Sequence, residues 1–173
     1  YTVGSLSTLV NAVLASGGPT STGSLRRIQL KRGEQVVTEF DFYDLLLKGD
    51  KSRDVPLLPG DVVFVPPIGA LAAINGSVNV SAIYELKKSQ RLEDLIEMAG
   101  GLTTSAAGQK VTLERSADRQ HRLVEELNLD AKGLARPLVD GDIVNVFTLS
   151  PRVTSAGISR RFLNASRHSP PRL

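Results

Sequence analysis

Apolar positions in this chain follow two periods, and the switch from one to the other occurs twice. Residues 92–107 read LEDLIEMAGGLTTSAA, and residues 9–24 read LVNAVLASGGPTSTGS. In the later stretch Leu92, Leu95, Ile96 and Ala99 form one stripe of a helix, with Glu93, Asp94 and Glu97 off it. Leu9, Ala12, Val13 and Ser16 repeat that spacing. Ser89, and Ser7 or Thr8, suit the N-cap position. Helices of this length do not stand alone in water and must lie on a sheet. Each runs into a glycine pair, Gly17-Gly18 or Gly100-Gly101. A left-handed residue commonly ends a helix, and glycine adopts that conformation without a Cβ clash. The second glycine would let the backbone pass close to the sheet. A phosphate-cradling loop is the competing reading, but such loops place glycines before a helix rather than after it.

The period then becomes two. Residues 25–42 alternate about a turn at residues 31–34, and residues 110–127 alternate about a turn near residues 116–119, each a hairpin signal. Asp41 is placed to cap a short helix, FYDLLL. VPLLPGDVVFVPP reads as a turn at Pro59-Gly60-Asp61 followed by a strand over residues 62–65 that fills a core. LAAINGSVNVSAIYEL reads as a strand pair bending around Ser81-Ala82.

Residues 1–32 lie over residues 84–115 at a constant offset of 83, with Tyr1 on Tyr84, both glycine pairs in register, and Arg32 on Arg115. Gly60-Asp61 meets Gly141-Asp142 at an offset of 81. A repeat of this length suits a small domain rather than a solenoid unit. Over residues 71–146 the order is strand, strand, helix, hairpin, short crossing, strand, which is the β-grasp order.

These residues resemble a known family, the soluble ligand-binding β-grasp (SLBB) domains of bacterial polysaccharide biosynthesis and export proteins. The resemblance rests on Gly76-Ser77-Val78, Tyr84, Leu92-Glu93-Asp94-Leu95-Ile96, Ala99-Gly100-Gly101-Leu102, the strand 111–115 ending in Arg115, and Gly141-Asp142-Ile143. It covers about residues 1–148, with the order and spacing of the motifs, twice over, as its specific part. The family's Pro-Gly turn is Ser81-Ala82 here, which makes that turn less rigid. The expected fold is α+β: tandem β-grasp domains, each a small mixed sheet crossed by one short helix. The expected division is 1–68, a first repeat without its opening hairpin; 69–149, a second repeat; and 150–173, an Arg/Ser/Pro-rich tail that is either disordered or a truncated further repeat.

Hydrophobic content of 41% and charged content of 23% suit a soluble globular chain. No apolar run approaches the roughly 20 residues that span a bilayer. The chain opens on Tyr1 inside a patterned segment, so it reads as part of something longer, and its lack of a leader says nothing about compartment. Cysteine is absent, which excludes disulfides, thiolate catalysis and Cys-based zinc within these residues. The net charge is +3, but Arg152, Arg160, Arg161, Arg167 and Arg172 all follow Asp142, the last acidic residue; without them 16 basic residues face 18 acidic ones. The basic balance belongs to the tail, and no nucleic-acid partner is read from it.

Chemistry is sparse. His121 and His168 have no partner at metal-ligand spacing, and no serine sits in a Gly-x-Ser-x-Gly elbow. Glu93, Asp94 and Glu97, like Glu125-Glu126, read as solvated faces rather than acid/base pairs. No cofactor and no catalysis are expected. Arg26, Arg27, Lys31 and Arg32 cluster on the first hairpin, with Lys110 and Arg115 at comparable places in the second. Such charges discourage edge-to-edge pairing, or they form a surface for an acidic polysaccharide or a neighbouring subunit. Asp61 and Asp142 read as acceptors for backbone N–H groups in their turns. Tyr1, Tyr43, Tyr84 and Phe147 are the few candidate stacking rings.

The resemblance implies a non-enzymatic module of a capsular or exopolysaccharide export protein in the periplasm or at the outer membrane. It also implies ring assembly around a polymer conduit and an inner-membrane co-polymerase or chain-length regulator as partner. The alternative it leaves is an accessory domain of a respiratory-type oxidoreductase complex, against which stand the missing cysteines and the missing glycine-rich nucleotide motif.

Overall fold

The computed structural model describes residues 7–116 and 121–149, with the side chains of residues 107–109 left aside. The expectations for Tyr1, the 150–173 tail, His168 and most of the turn at residues 116–119 lie outside those residues. The chain is α+β, with two sheets and short helices. Its elements in order are α1 (Leu9–Ala15), β1 (Ile28–Arg32), β2 (Gln35–Phe40), α2 (Phe42–Lys48), β3 (Asp61–Phe64), β4 (Leu71–Gly76), β5 (Ala82–Glu85), α3 (Leu92–Met98), β6 (Ala106–Ser116), β7 (Arg122–Asn128), α4 (Ala131–Leu134) and β8 (Asp142–Thr148).

The second sheet has the order β5-β4-β8-β6-β7, antiparallel throughout except that β4 and β8 run parallel. This is the β-grasp arrangement, an outer hairpin at each side and the last strand inserted between them. The first sheet, β2-β1-β3, reproduces the β7-β6-β8 part of it. Gly76, at φ 88°, ends β4 where a Cβ would fall 2.1 Å from the Val146 carbonyl oxygen, so only glycine fits there. The bend between β4 and β5 spans residues 77–81, and Ala82 already belongs to β5.

Each sheet carries its own core. Leu92, Leu95, Met98 and Ala99 of α3 meet Ile74, Val111, Leu113, Val144 and Val146. Leu9, Val10 and Val13 of α1 meet Ile28, Leu30, Phe40 and Phe42, the last two ring to ring at 5.2 Å. Two helix stripes are therefore corrected. In α1, Val10 is buried and Ser16 is exposed as the C-cap; in α3, Met98 is buried and Ile96 only half so. The strand at residues 62–65 is not wholly interior: it is one layer of an open sheet, and Val62 and Phe64 point outward.

The caps follow the local chemistry. The Thr8 hydroxyl accepts the Asn11 N–H, and the Asp41 carboxylate accepts the Tyr43 N–H at 2.8 Å. Ser89 does not cap α3. Arg91 holds that position, and Asp94 reaches back to its N–H at 2.7 Å, the return half of a capping box. Both double glycines close their helices in the same way. Gly100 N–H donates to Glu97 O and Gly101 N–H to Ile96 O; Gly17 and Gly18 donate likewise to Leu14 and Val13. All four have positive φ, so each pair forms a Schellman-type closure. Nothing lies within 4 Å of a Cβ built on Gly18 or Gly101, so the second glycine is required by its backbone angle and not by close approach to the sheet.

Replacing Gly101 by Val should therefore cost about 1–2 kcal/mol from backbone strain alone, read as a fall in the urea midpoint with unchanged slope. An unchanged midpoint would overturn the cap assignment.

Candidate functional site

The most elaborate polar arrangement lies where the two repeats meet. It is built from a buried carboxylate at the end of β5. Glu85 is only 2% exposed. Its carboxylate accepts the Ser24 hydroxyl at 2.8 Å, the Leu25 N–H at 3.0 Å and the Gly69 N–H at 2.8 Å. Its own N–H donates to the Tyr43 hydroxyl at 3.1 Å, and its carbonyl accepts Arg26 Nε. Arg26, 6% exposed, pairs with Asp41 at 3.0 Å and lies 4.1 Å above the centroid of the Tyr43 ring. Lys87 completes the group, 2.8 Å from Asp41 and 3.4 Å from Asp44. Burial acts to lower the Lys87 pKa, but hydrogen bonding and charge from Asp41, with Asp44, outweigh it and raise it. Groups from α2, from the segment before β1 and from β5 thus satisfy one another across the boundary. A carboxylate with this many donors is stable inside a protein; the same carboxylate with partners removed is not.

Arg26 thus stands inside the junction rather than on a hairpin surface. Arg27, next in sequence, is exposed and donates to the Pro67 carbonyl at 3.0 Å. The Lys31 ammonium sits 4.3 Å over the Phe64 ring, and Lys110 pairs with Glu126 across the β6–β7 ladder.

Arg32 and Arg115 do the same work in the two repeats. Arg32 forms a two-pronged pair with Asp61, at 2.7 and 2.9 Å, and Arg115 with Asp142, at 2.8 and 2.7 Å. Each aspartate also accepts one backbone N–H from its turn, Leu58 at 2.8 Å or Val139 at 2.9 Å. The turn-acceptor reading of Asp61 and Asp142 holds, and the arginine joins it. Each pair clamps the start of the last strand of its repeat to the strand beside it, where Arg32 faces Asp61 in the register. Hydrogen bonding from Arg32, and then from the Leu58 N–H, holds the Asp61 carboxyl down to about 2. The hydrogen bonds that Arg115 donates to Asp142 raise its pKa. These two cations face their own carboxylates, so the six candidate cations do not form one open basic surface.

The remaining candidates settle into structural places. Asp94 caps α3, Glu93 lies 3.5 Å from Arg91, and Glu125 pairs with Arg136 at 2.7 Å. Tyr84 is buried, its hydroxyl donating to the Val80 carbonyl at 3.0 Å, and its ring lies 6.3 Å from that of Tyr43. Phe147 is half exposed on β8. Among the described residues no three His, Cys, Asp or Glu side chains gather as a metal site, and no helix is long and apolar enough to cross a membrane.

A cleft of about 530 Å³ opens at the junction between the repeats, lined by Arg27, Glu39, Glu85, Leu86, Lys87 and Lys88 among others. A second, of about 350 Å³, shares Arg26, Lys87, Lys88 and Ser89 with it. No sequence motif marks this place directly. One signal was available: charged residues that break the repeat. At the offset of 83, Glu85 falls on Thr2 and Arg26 on Gln109.

The SLBB domain family model matches the chain over residues 1–41 and 71–122. No curated protein matches it.

Two outcomes test this geometry. Glu85→Ala leaves three donors without their acceptor and should cost about 1–3 kcal/mol, with calorimetry expected to resolve two transitions in the variant and one in the wild type; a single, unshifted transition would refute the coupling. Asp61 is deprotonated far more readily when folded than when unfolded. Its stabilising contribution is complete above roughly pH 4, the ordinary aspartate value, and is lost as pH falls towards about 2. Asp61→Asn should therefore flatten the fall in stability between those values relative to wild type, and parallel profiles would contradict the ion pair.

Proposed function

The chain belongs to the SLBB domain family, a class of binding rather than catalytic domains, and on that premise we propose that it is a non-enzymatic module of a protein that exports capsular or extracellular polysaccharide. In this reading it resides in the periplasm or against the outer membrane and assembles with copies of itself into a ring around the passing polymer. An inner-membrane co-polymerase or chain-length regulator hands the polymer over. Residues 1–68 and 69–149 act as two repeats of one unit. Export requires no bond to be made or broken by this protein, only surfaces held in fixed relation.

The observation that carries the reading is the tandem itself. Two SLBB segments follow one another in one chain and are joined through a buried polar junction with every Glu85 oxygen engaged. A joint of that kind suits a stacked conduit wall, where successive layers must keep their alignment under load from a moving polymer. The polar junction and the cleft above it offer rigid surfaces, and fold alone does not choose the ligand.

Deleting the coding gene in the cell that carries it should abolish surface polysaccharide while intracellular material accumulates, and cross-linking of the envelope fraction should give a ladder of homo-oligomers. Unchanged surface polysaccharide, or a full-length protein that stays strictly monomeric at high concentration, would overturn the proposal.

A further inference from the structure

Two of the four cations that line the cleft above the junction are not bonded to a carboxylate. Arg26, Arg27, Lys87 and Lys88 line it, against the carboxylates of Glu39 and Glu85. Beneath it, Asp41 and Asp44 engage Arg26 and Lys87. Glu85 is saturated by Ser24, Leu25 and Gly69, and Glu39 accepts from Gln29 at 2.9 Å. Arg27 and Lys88 are left at the mouth with no carboxylate partner among the described residues; the one side-chain bond of Arg27 is to the Pro67 carbonyl. Arg27 and Lys88 can therefore pair with an anion that enters the cleft.

Two further features make the cleft specific. Ser89, beside Lys88, has φ 64° and is the one described residue other than glycine with a positive φ. Side chains avoid that conformation, and residues held in it cluster where a loop is shaped for binding. Ser89 and Lys88 line both clefts. The wall behind them is apolar, formed by Leu86, Ala70 and Leu138. A volume of about 530 Å³ with an apolar wall and a few convergent polar groups is the usual form of a small-molecule site. An apolar wall suits the C–H face of a sugar ring, and a planar guanidinium suits a two-oxygen anion.

We propose that the cleft between the repeats binds an anionic sugar unit, carboxylate- or phosphate-bearing, with Arg27 and Lys88 as the charge-pairing donors. The Ser89 hydroxyl adds a neutral hydrogen bond, and Leu86 and Leu138 support the ring. Glu85 is the buried base that holds the two walls in place and does not touch the ligand. This inference rests on the polysaccharide-export reading and narrows it to acidic polymers.

The test is calorimetric titration of the full chain at low salt with tetragalacturonate, glucose 6-phosphate, maltotetraose and inorganic phosphate, with amide chemical shifts locating each ligand. Tetragalacturonate or glucose 6-phosphate should bind with shifts at residues 27 and 86–89, the tighter of the two identifying the anion. Maltotetraose should bind at least roughly ten-fold more weakly, and Arg27→Gln with Lys88→Gln should weaken the charged sugar by a similar factor with an unchanged thermal midpoint. Equal affinity for maltotetraose, indifference to the double substitution, or inorganic phosphate binding as tightly as the sugar would each overturn the assignment. So would the absence of any binding, while a deletion strain that had lost its surface polysaccharide would leave the export reading standing.

Discussion

A carboxylate withdrawn from water must be given donors, and Glu85 receives them from both sides of the boundary between the repeats. Ser24 and Leu25 belong to the first repeat, and Gly69 precedes β4. The Arg26 side chain bonds the Glu85 carbonyl and is itself held by Asp41 at the head of α2. Buried charge is a poor source of net stability compared with well-packed apolar residues, yet it is unforgiving of misplacement. Two greasy surfaces can slide over each other at small cost. This network has one arrangement in which all its partners meet, so the two sheets are held at one orientation. The cleft, its cationic mouth and the strained Ser89 loop all inherit their geometry from it.

The repeat shows which interactions belong to the fold and which to this joint. Arg32–Asp61 and Arg115–Asp142 are equivalent pairs with nearly equal geometry, each bracing a strand start against its neighbour. Glu85 and Arg26 have no equivalents at the repeat offset, while Asp41 caps α2 as Asp130 caps α4. Residues that both copies keep therefore build a β-grasp unit, and charged residues that one copy alone has join the units. A pair exposed on its arginine side contributes little to overall stability; its value here lies in fixing the register at which the last strand enters the sheet.

Local chemistry and, through the repeat, the β-grasp strand order were legible in the sequence; the side-chain pairs across the junction were not. The helix stops at Gly17-Gly18 and Gly100-Gly101, the Asp41 cap and the β1–β2 hairpin depend on neighbours a few residues away, and the chain states them directly. The misplacements have local causes as well. Ser89 looked like an N-cap because it precedes a helix, but Asp94 serves that end from inside the first turn. Ser16 fell on the helical stripe, but α1 is too short for its last position to face the core, and Val10 does so instead. Arg26 looked like surface charge because it lies in a run of cations at a hairpin. Its partners are Asp41, 15 residues on, and Glu85, 59 residues on. Charge type and hairpin position carry no information about contacts at that separation.

The two cores are unequal, and this gives the junction its importance. The second sheet has five strands, with fifteen buried apolar residues around α3; the first has three strands and seven such residues around α1. The inner strand of the second sheet, β8, has β4 on one side and β6 on the other, whereas its counterpart β3 pairs with β1 alone among the described residues. Small cores of this size leave little margin over the conformational entropy they must offset. The first sheet therefore draws part of its order from outside itself, through Arg26, Asp41 and Tyr43 on its side of the joint and Glu85 and Lys87 on the other. A ligand that bridges Arg27 and Lys88 would span the same boundary and add to the same linkage, since whatever binds the joined form alone also favours it. Ligand occupancy and rigidity of the two-repeat unit are then one equilibrium seen from two sides.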